Sequence, residues 1–305
     1  MNRLQFSIDG PYNFQKSLRF SRDCLFESIS GPDRMGLRRA VLLDGRPAVI
    51  EILVSDQIEK PEVDLKWEVL DDTNISSEAA TGFARKVLMA DCRLEEFYRL
   101  ARRSKQLAPL VERQRGLKPI LTSSIFEAAT WAIVGQQVNL SFATSIKKRL
   151  VDKYGMKFHL NGSSFSLFPT TEKLSRLRID SLMRLQLSQR KAEYLTGLAA
   201  LVSKKELPLE ELSREPYEDA LQQLLSVRGI GPWSANYTLM RGAGHLDALP
   251  VGDSGLHRAA VNIFSLRKNP DSARMTRLAA PFRPFRSLFT LYLWYSLLSE
   301  DRNDR

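Results

Sequence analysis

Two hydrophobic rhythms divide the chain. Over roughly the first 75 residues, apolar positions alternate with polar ones or fall in short runs between turn formers. Leu4 to Ile8 alternates. Arg39 to Leu43 and Ala48 to Val54 flank Asp44-Gly45-Arg46-Pro47 as the arms of a hairpin, and Phe14 to Phe20 reads as a short helix. An antiparallel sheet is the simplest use of these runs. From Ser76 the period lengthens. Ser76, Ser77 and Glu78 carry helix-start chemistry, and Phe83, Val87 and Leu88 follow at helical spacing. Ile125 to Val134, followed by Val138, Phe142, Ile146 and Leu150, predicts one or two buried helices. Leu195, Leu198 and Leu201 predict another. Tyr154 to Thr171 is rich in Gly, Asn, Ser and Pro and reads as a long connection. The expected architecture is an α+β N-terminal domain over residues 1–80, built on an antiparallel sheet. An all-α body over 81–305 follows, as two helical subdomains flanking a cleft.

Composition narrows the function classes. The chain has 305 residues and no run approaching the roughly 20 apolar residues of a membrane span, and its first residues lack a secretory apolar core. No membrane association and a cytoplasmic location are expected. Cys24 and Cys92 are the two cysteines, too few for a four-cysteine zinc or iron-sulfur site. His159, His245 and His257 are scattered without ligand spacing and read as surface or packing residues, so no metal site is expected. The net charge of +10 is uneven: residues 1–80 carry −4 and residues 81–305 carry +14. A basic body suits a polyanion, although solvated helix faces explain many such charges.

The most informative segment is Leu224 to Ala235. Residues 218–226 and 233–242 read as two helices joined by Val227-Arg228-Gly229-Ile230-Gly231-Pro232. The two glycines permit a tight turn whose N–H groups approach an anion, and Pro232 suits the first turn of the second helix. A plain helix-helix connection would look the same. Asp253 lies 22 residues after Gly231 and precedes a helical pattern of Leu256, Ala259, Ala260 and Ile263. By itself it reads as a helix N-cap.

Taken together these stretches resemble a known family. Gly229-Ile230-Gly231-Pro232-Trp233-Ser234-Ala235-Asn236-Tyr237, Arg241-Gly242, Leu249-Pro250-Val251-Gly252-Asp253 and Leu256-His257-Arg258 resemble the helix-hairpin-helix (HhH-GPD) DNA glycosylases, in the DNA-3-methyladenine glycosylase II branch. Phe126-Glu127-Ala128, Gly135-Gln136-Gln137-Val138 and Leu187 to Tyr194 are similar to the flanking helices, and the likeness covers roughly residues 108–295.

The resemblance implies a hydrolase that flips alkylated purines of the 3-methyladenine type out of duplex DNA and excises them, initiating base excision repair. It makes Asp253 the catalytic carboxylate, a fixed negative charge that stabilises the oxocarbenium-like sugar as the base departs. Trp233 stands where backbone-cutting relatives carry a lysine nucleophile, which implies hydrolysis without a Schiff base. Arg228, Gly229, Ile230 and Gly231 become the phosphate hairpin, and Trp233, Tyr237 and Phe285 the base pocket. Ile120 or Leu121 is implied as the wedge that enters the duplex, with Gln136 and Gln137 facing the same gap. No cofactor is required, though a structural monovalent cation at the hairpin is compatible. A monomer acting on damaged double-stranded DNA is expected. The rivals are a glycosylase for oxidised or deaminated bases and a noncatalytic hairpin DNA-binding protein.

Overall fold

The computed structural model describes residues 2–21, 26–70 and 75–300. Cys24 lies outside them. A five-stranded antiparallel sheet, ordered β1-β5-β4-β3-β2, opens the chain: β1 (Asn2–Ser7), β2 (Glu27–Gly31), β3 (Arg34–Leu43), β4 (Arg46–Ser55) and β5 (Glu62–Val69). Helix α1 (Phe14–Phe20) lies between β1 and β2. The expected hairpin is β3–β4, and its two-residue turn places both Asp44 and Gly45 at positive φ, 49° and 76°. That geometry matches the twist of the strands it joins.

Strand alternation decides what each sheet face meets. Leu37, Val41, Ile50, Ile52, Val63 and Leu65 point to one side and pack with α1 and with α2 (Ser77–Val87). Ala40 and Val49 point to the other. The expected boundary at residue 80 cuts α2, whose Ala80, Ala84 and Val87 belong to the sheet's own core. The N-terminal unit extends through that helix.

The body continues with α3 (Glu95–Ala101), α4 (Leu107–Arg113), α5 (Ile125–Gly135) and α6 (Leu140–Tyr154). The segment expected as a long connection is instead a hairpin, β6 (Lys157–Leu160) and β7 (Ser163–Ser166), turning at Asn161-Gly162 with φ of 49° and 76°. Its Phe158 and the following Leu167 cover Ala40 and Val49 on the outer sheet face. Then come α7 (Thr171–Ser175), α8 (Ile179–Met183), α9 (Gln189–Ser203), α10 (Tyr217–Leu225), α11 (Pro232–Thr238), α12 (Ser254–Phe264), α13 (Ser272–Ala279) and α14 (Arg286–Glu300). Helix α5 is buried on all sides and runs through the centre of the helical core.

A buried ionic triad fastens the sheet to the body. Arg39 of β3 donates to Glu127 of α5 at 2.7 Å, and Lys147 of α6 approaches the other carboxylate oxygen at 2.8 Å. Burial would push the Glu127 carboxyl up, but the two cations outweigh it and bring it down to about 2. The Lys147 ammonium also lies 5.4 Å from the centre of the Trp131 ring.

Candidate active site

Among the described residues eight helices begin with a side-chain cap, from Asn13, Ser76, Ser124, Asn139, Thr170, Ser188, Asp253 and Asp271, each accepting the N–H three residues on. Asp253 fits that series: its Oδ1 accepts from Leu256 N at 2.7 Å. What sets it apart is what else it holds. Trp294 Nε1 of α14 donates to the same oxygen at 2.8 Å, and Trp233 Nε1 of α11 donates to Oδ2 at 3.0 Å. The carboxylate is thus held in place from both sides, one indole N–H on each oxygen. It remains partly exposed at the wall of an open cleft of about 1290 Å³.

The loop that carries Asp253 is set by backbone geometry. Val251 N donates to Leu249 O and Asp253 N to Pro250 O, while Gly252 sits at φ 90°, a conformation that favours glycine. Asn236 of α11 connects this loop to the hairpin helix: its Oδ1 accepts from Leu249 N at 2.9 Å and from the Tyr217 hydroxyl at 2.6 Å.

The hairpin lies between α10 and α11 as expected, and the two glycines serve different ends. Gly229 has φ 92°, and a Cβ there would fall 2.2 Å from Tyr194 Cγ. Gly231 has an ordinary φ of −92° and open space where a side chain would be. The first therefore permits the turn, and the second keeps its face clear. Ile230 is buried and anchors the loop, whereas Arg228 is exposed beside Glu193 and Tyr194.

Gln136 locks the hairpin from behind. Its Nε2 donates to Gly229 O at 2.9 Å and to Ser234 Oγ at 3.0 Å. Lys191 in turn donates to Val134 O and Gln136 O, satisfying the end of α5. Gln136 lines the cleft, yet its amide is spent on the hairpin rather than aimed into the opening. Gln137 is exposed at the rim with φ 54°, in the link between α5 and α6.

Three expected site residues lie elsewhere. Ile120 belongs to the sheet core at 0% exposure, and Leu121 is 2% exposed with its N–H on Val87 O. Neither can enter a duplex without unfolding its surroundings. The apolar side chain at the cleft rim is Leu140, 63% exposed at the start of α6. Phe285 packs into the helical core ahead of α14 and does not line the cleft. The aromatic wall is made by Trp233, Tyr237, Trp294 and Phe20. Trp233 and Tyr237 have ring centres 5.5 Å apart, Tyr237 and Trp294 6.3 Å, and Phe20 stacks on Trp294 at 6.0 Å and 16°. Periodicity gave no warning of Trp294, which sits in a helix apolar on most sides, nor of Phe20 in the N-terminal unit.

A glycine hairpin facing a carboxylate across an aromatic cleft places the molecule among helix-hairpin-helix proteins. The chain belongs to the HhH-GPD superfamily of base excision DNA repair proteins, whose family model matches residues 130–284. It is 34% identical over 201 residues to the DNA-3-methyladenine glycosylase of Bacillus subtilis, covering 66% of each chain. The match thus spans just under two thirds of that relative's length. Among solved structures, the 3-methyladenine DNA-glycosylase of Archaeoglobus fulgidus superposes with a TM-score of 0.81 at 26% identity, covering 95% of this chain and 97% of the other. The 8-oxoguanine glycosylase/lyase of Clostridium acetobutylicum, solved with double-stranded DNA, shares the fold with a TM-score of 0.75 at 15% identity, covering 99% of each.

Proposed function

We propose that the chain is a monofunctional DNA glycosylase that hydrolyses the N-glycosidic bond of alkylated purines in duplex DNA, initiating base excision repair. The observation that carries this reading is the double indole grip on Asp253 beside an aromatic cleft large enough for a base. As the base departs, positive charge develops on the deoxyribose, and a fixed carboxylate stabilises it without reorganising. The Trp233, Tyr237 and Trp294 faces suit a flipped base, more so one made cationic by ring alkylation. Water adds to C1′ and the base leaves with the bonding pair.

The Gly229 to Gly231 turn and the start of α11 supply N–H groups for a DNA phosphate, and Arg228 supplies charge. Gln137 and Leu140 flank the opening through which a base would be extruded. No cofactor enters this scheme. Backbone carbonyls of the hairpin are hard oxygen donors that suit an accessory monovalent cation. Among the described residues no cluster of His, Cys, Asp and Glu is fit to hold a metal, and no helix is long and apolar enough to cross a membrane. The reading places a monomer on DNA in the cytoplasm, at the nucleoid in a prokaryote.

The test is a duplex with a single 3-methyladenine. The protein should release the base and leave an abasic site that is cut only after alkali, with no adduct trapped by borohydride. Binding to abasic DNA with no release from any alkylated duplex would make it a binding protein instead.

A further inference from the structure

The charge of the cleft wall runs against a pocket built for cations alone. Among the described residues Asp253 is the only acidic one that lines the cleft, whereas Arg19, Arg241 and Arg258 also line it. A base that is already cationic gains nothing from guanidinium groups nearby, and is repelled by them.

Arg19 is the most pointed of the three. It lies in the last turn of α1, so the N-terminal unit delivers it to the cleft together with Phe20. Phe20 stacks on Trp294, the residue that grips Asp253, which places Arg19 next to the catalytic wall. It is half-buried. Its Nη2 donates to Leu298 O at 3.3 Å, and among the described residues it forms no ion pair with a carboxylate. A guanidinium has five N–H donors, so one carbonyl leaves most of them for a partner in the cleft.

What such a donor does follows from the leaving group. When the C1′–N bond breaks, the base nitrogen keeps the electron pair. A ring-alkylated cation thereby becomes neutral and departs readily. A neutral base becomes an anion, and its departure needs a hydrogen bond or a positive charge on its acceptor atoms. A guanidinium supplies both without giving up its own proton. The water oxygen bonds to C1′, and the proton the water loses goes to the departing base anion through solvent.

We propose that Arg19 is a specificity-determining donor to the departing base, which extends hydrolysis from bases that leave as neutral molecules to bases that leave as anions. The inference rests on the glycosylase reading of the Asp253 cleft. Arg19 could otherwise serve only to tie α1 to Leu298, or to hold a DNA phosphate, and each alternative has its own signature.

The experiment compares single-turnover release of 7-methylguanine, a cation, and hypoxanthine, a neutral 6-oxopurine, from otherwise identical duplexes. The unaltered protein, Arg19→Gln and Arg19→Lys are measured, with thermal midpoints and abasic-duplex affinity alongside. Arg19→Gln should slow hypoxanthine release by about 10-fold or more, as loss of a charged hydrogen bond to a developing anion does, and leave 7-methylguanine within about 3-fold. Arg19→Lys should recover part of the hypoxanthine rate. Equal losses on both bases, a change confined to affinity and its salt dependence, or no change at all would overturn the assignment. If the unaltered protein releases 7-methylguanine but not hypoxanthine, the inference fails and the glycosylase reading stands. Release of neither overturns the inference, and the 3-methyladenine duplex then decides whether the glycosylase reading falls with it.

Discussion

Trp294 Nε1 and Trp233 Nε1 hold opposite oxygens of Asp253 at 2.8 and 3.0 Å, so the carboxylate cannot rotate without breaking an indole hydrogen bond. The Trp294 bond spans 41 residues of sequence and joins α14 to the cap of α12. Replacing Trp294 with Phe keeps a ring against Phe20 and removes the donor. Single-turnover base release should fall about 10-fold, in line with one charge-assisted hydrogen bond, while affinity for an abasic duplex stays within about 2-fold. A parallel loss of binding would mean that the residue supports the cleft's shape rather than the carboxylate.

Gly229 allows no side chain. Alanine there would meet the Tyr194 ring at 2.2 Å and must also adopt φ near 92°. The hairpin has to deform, at a cost of about 1–3 kcal/mol in backbone strain. Gly229→Ala should weaken binding to damaged and undamaged duplexes alike and flatten the dependence of affinity on salt. Gly231→Ala should leave folding intact, because nothing lies within 4 Å of its added methyl, and weaken only DNA binding. Titrations at several salt concentrations with thermal melts separate the two.

Glu127 makes stability depend on acid. Its folded carboxyl lies at about 2, below the ordinary 4.5, so the unfolded chain binds its proton first as pH falls. The resulting stabilisation is complete above about pH 4.5 and is lost on descent from 4.5 toward 2. Glu127→Gln should remove that part of the acid transition. It leaves Arg39 and Lys147 buried against a neutral amide and should cost about 3–5 kcal/mol at neutral pH. Urea unfolding of both proteins at pH 3 and pH 7 measures the difference.

Leu140 and Ile120 provide a matched pair for the wedge. Ile120→Ala empties a site at 0% exposure and should lower stability by about 2–5 kcal/mol. Leu140→Ala acts on an exposed side chain, so it should leave stability within about 0.5 kcal/mol. If Leu140 fills the gap left by an extruded base, its removal should weaken binding to an abasic duplex more than to an intact one.

The resemblance located the hairpin and the Asp253 loop better than it located the lining of the cleft. The hairpin glycines, Asp253 and the Trp233–Tyr237 pair were legible because each depends on local chain geometry: a tight turn, a cap, and two rings four residues apart on one helix. Phe285, Ile120 and Leu121 were misplaced because burial is a property of the assembled core, and apolar side chains look the same in a cleft and beneath one. Phe20, Arg19 and Trp294 reach the site from the two ends of the chain, a juxtaposition no local pattern encodes. The β6–β7 hairpin is a different kind of miss: Asn161-Gly162 is a strong turn signal, masked by the polar residues around it.

The most direct test of the account is single-turnover release of 3-methyladenine by Asp253→Asn, with duplex affinity measured on the same preparation. Asparagine preserves an oxygen for Leu256 N and for one indole, and removes the charge. The account predicts that the variant still binds an abasic duplex within a few-fold and releases base at least about 100-fold more slowly, the scale of losing a preorganised electrostatic partner. Release at the rate of the unaltered protein would contradict it.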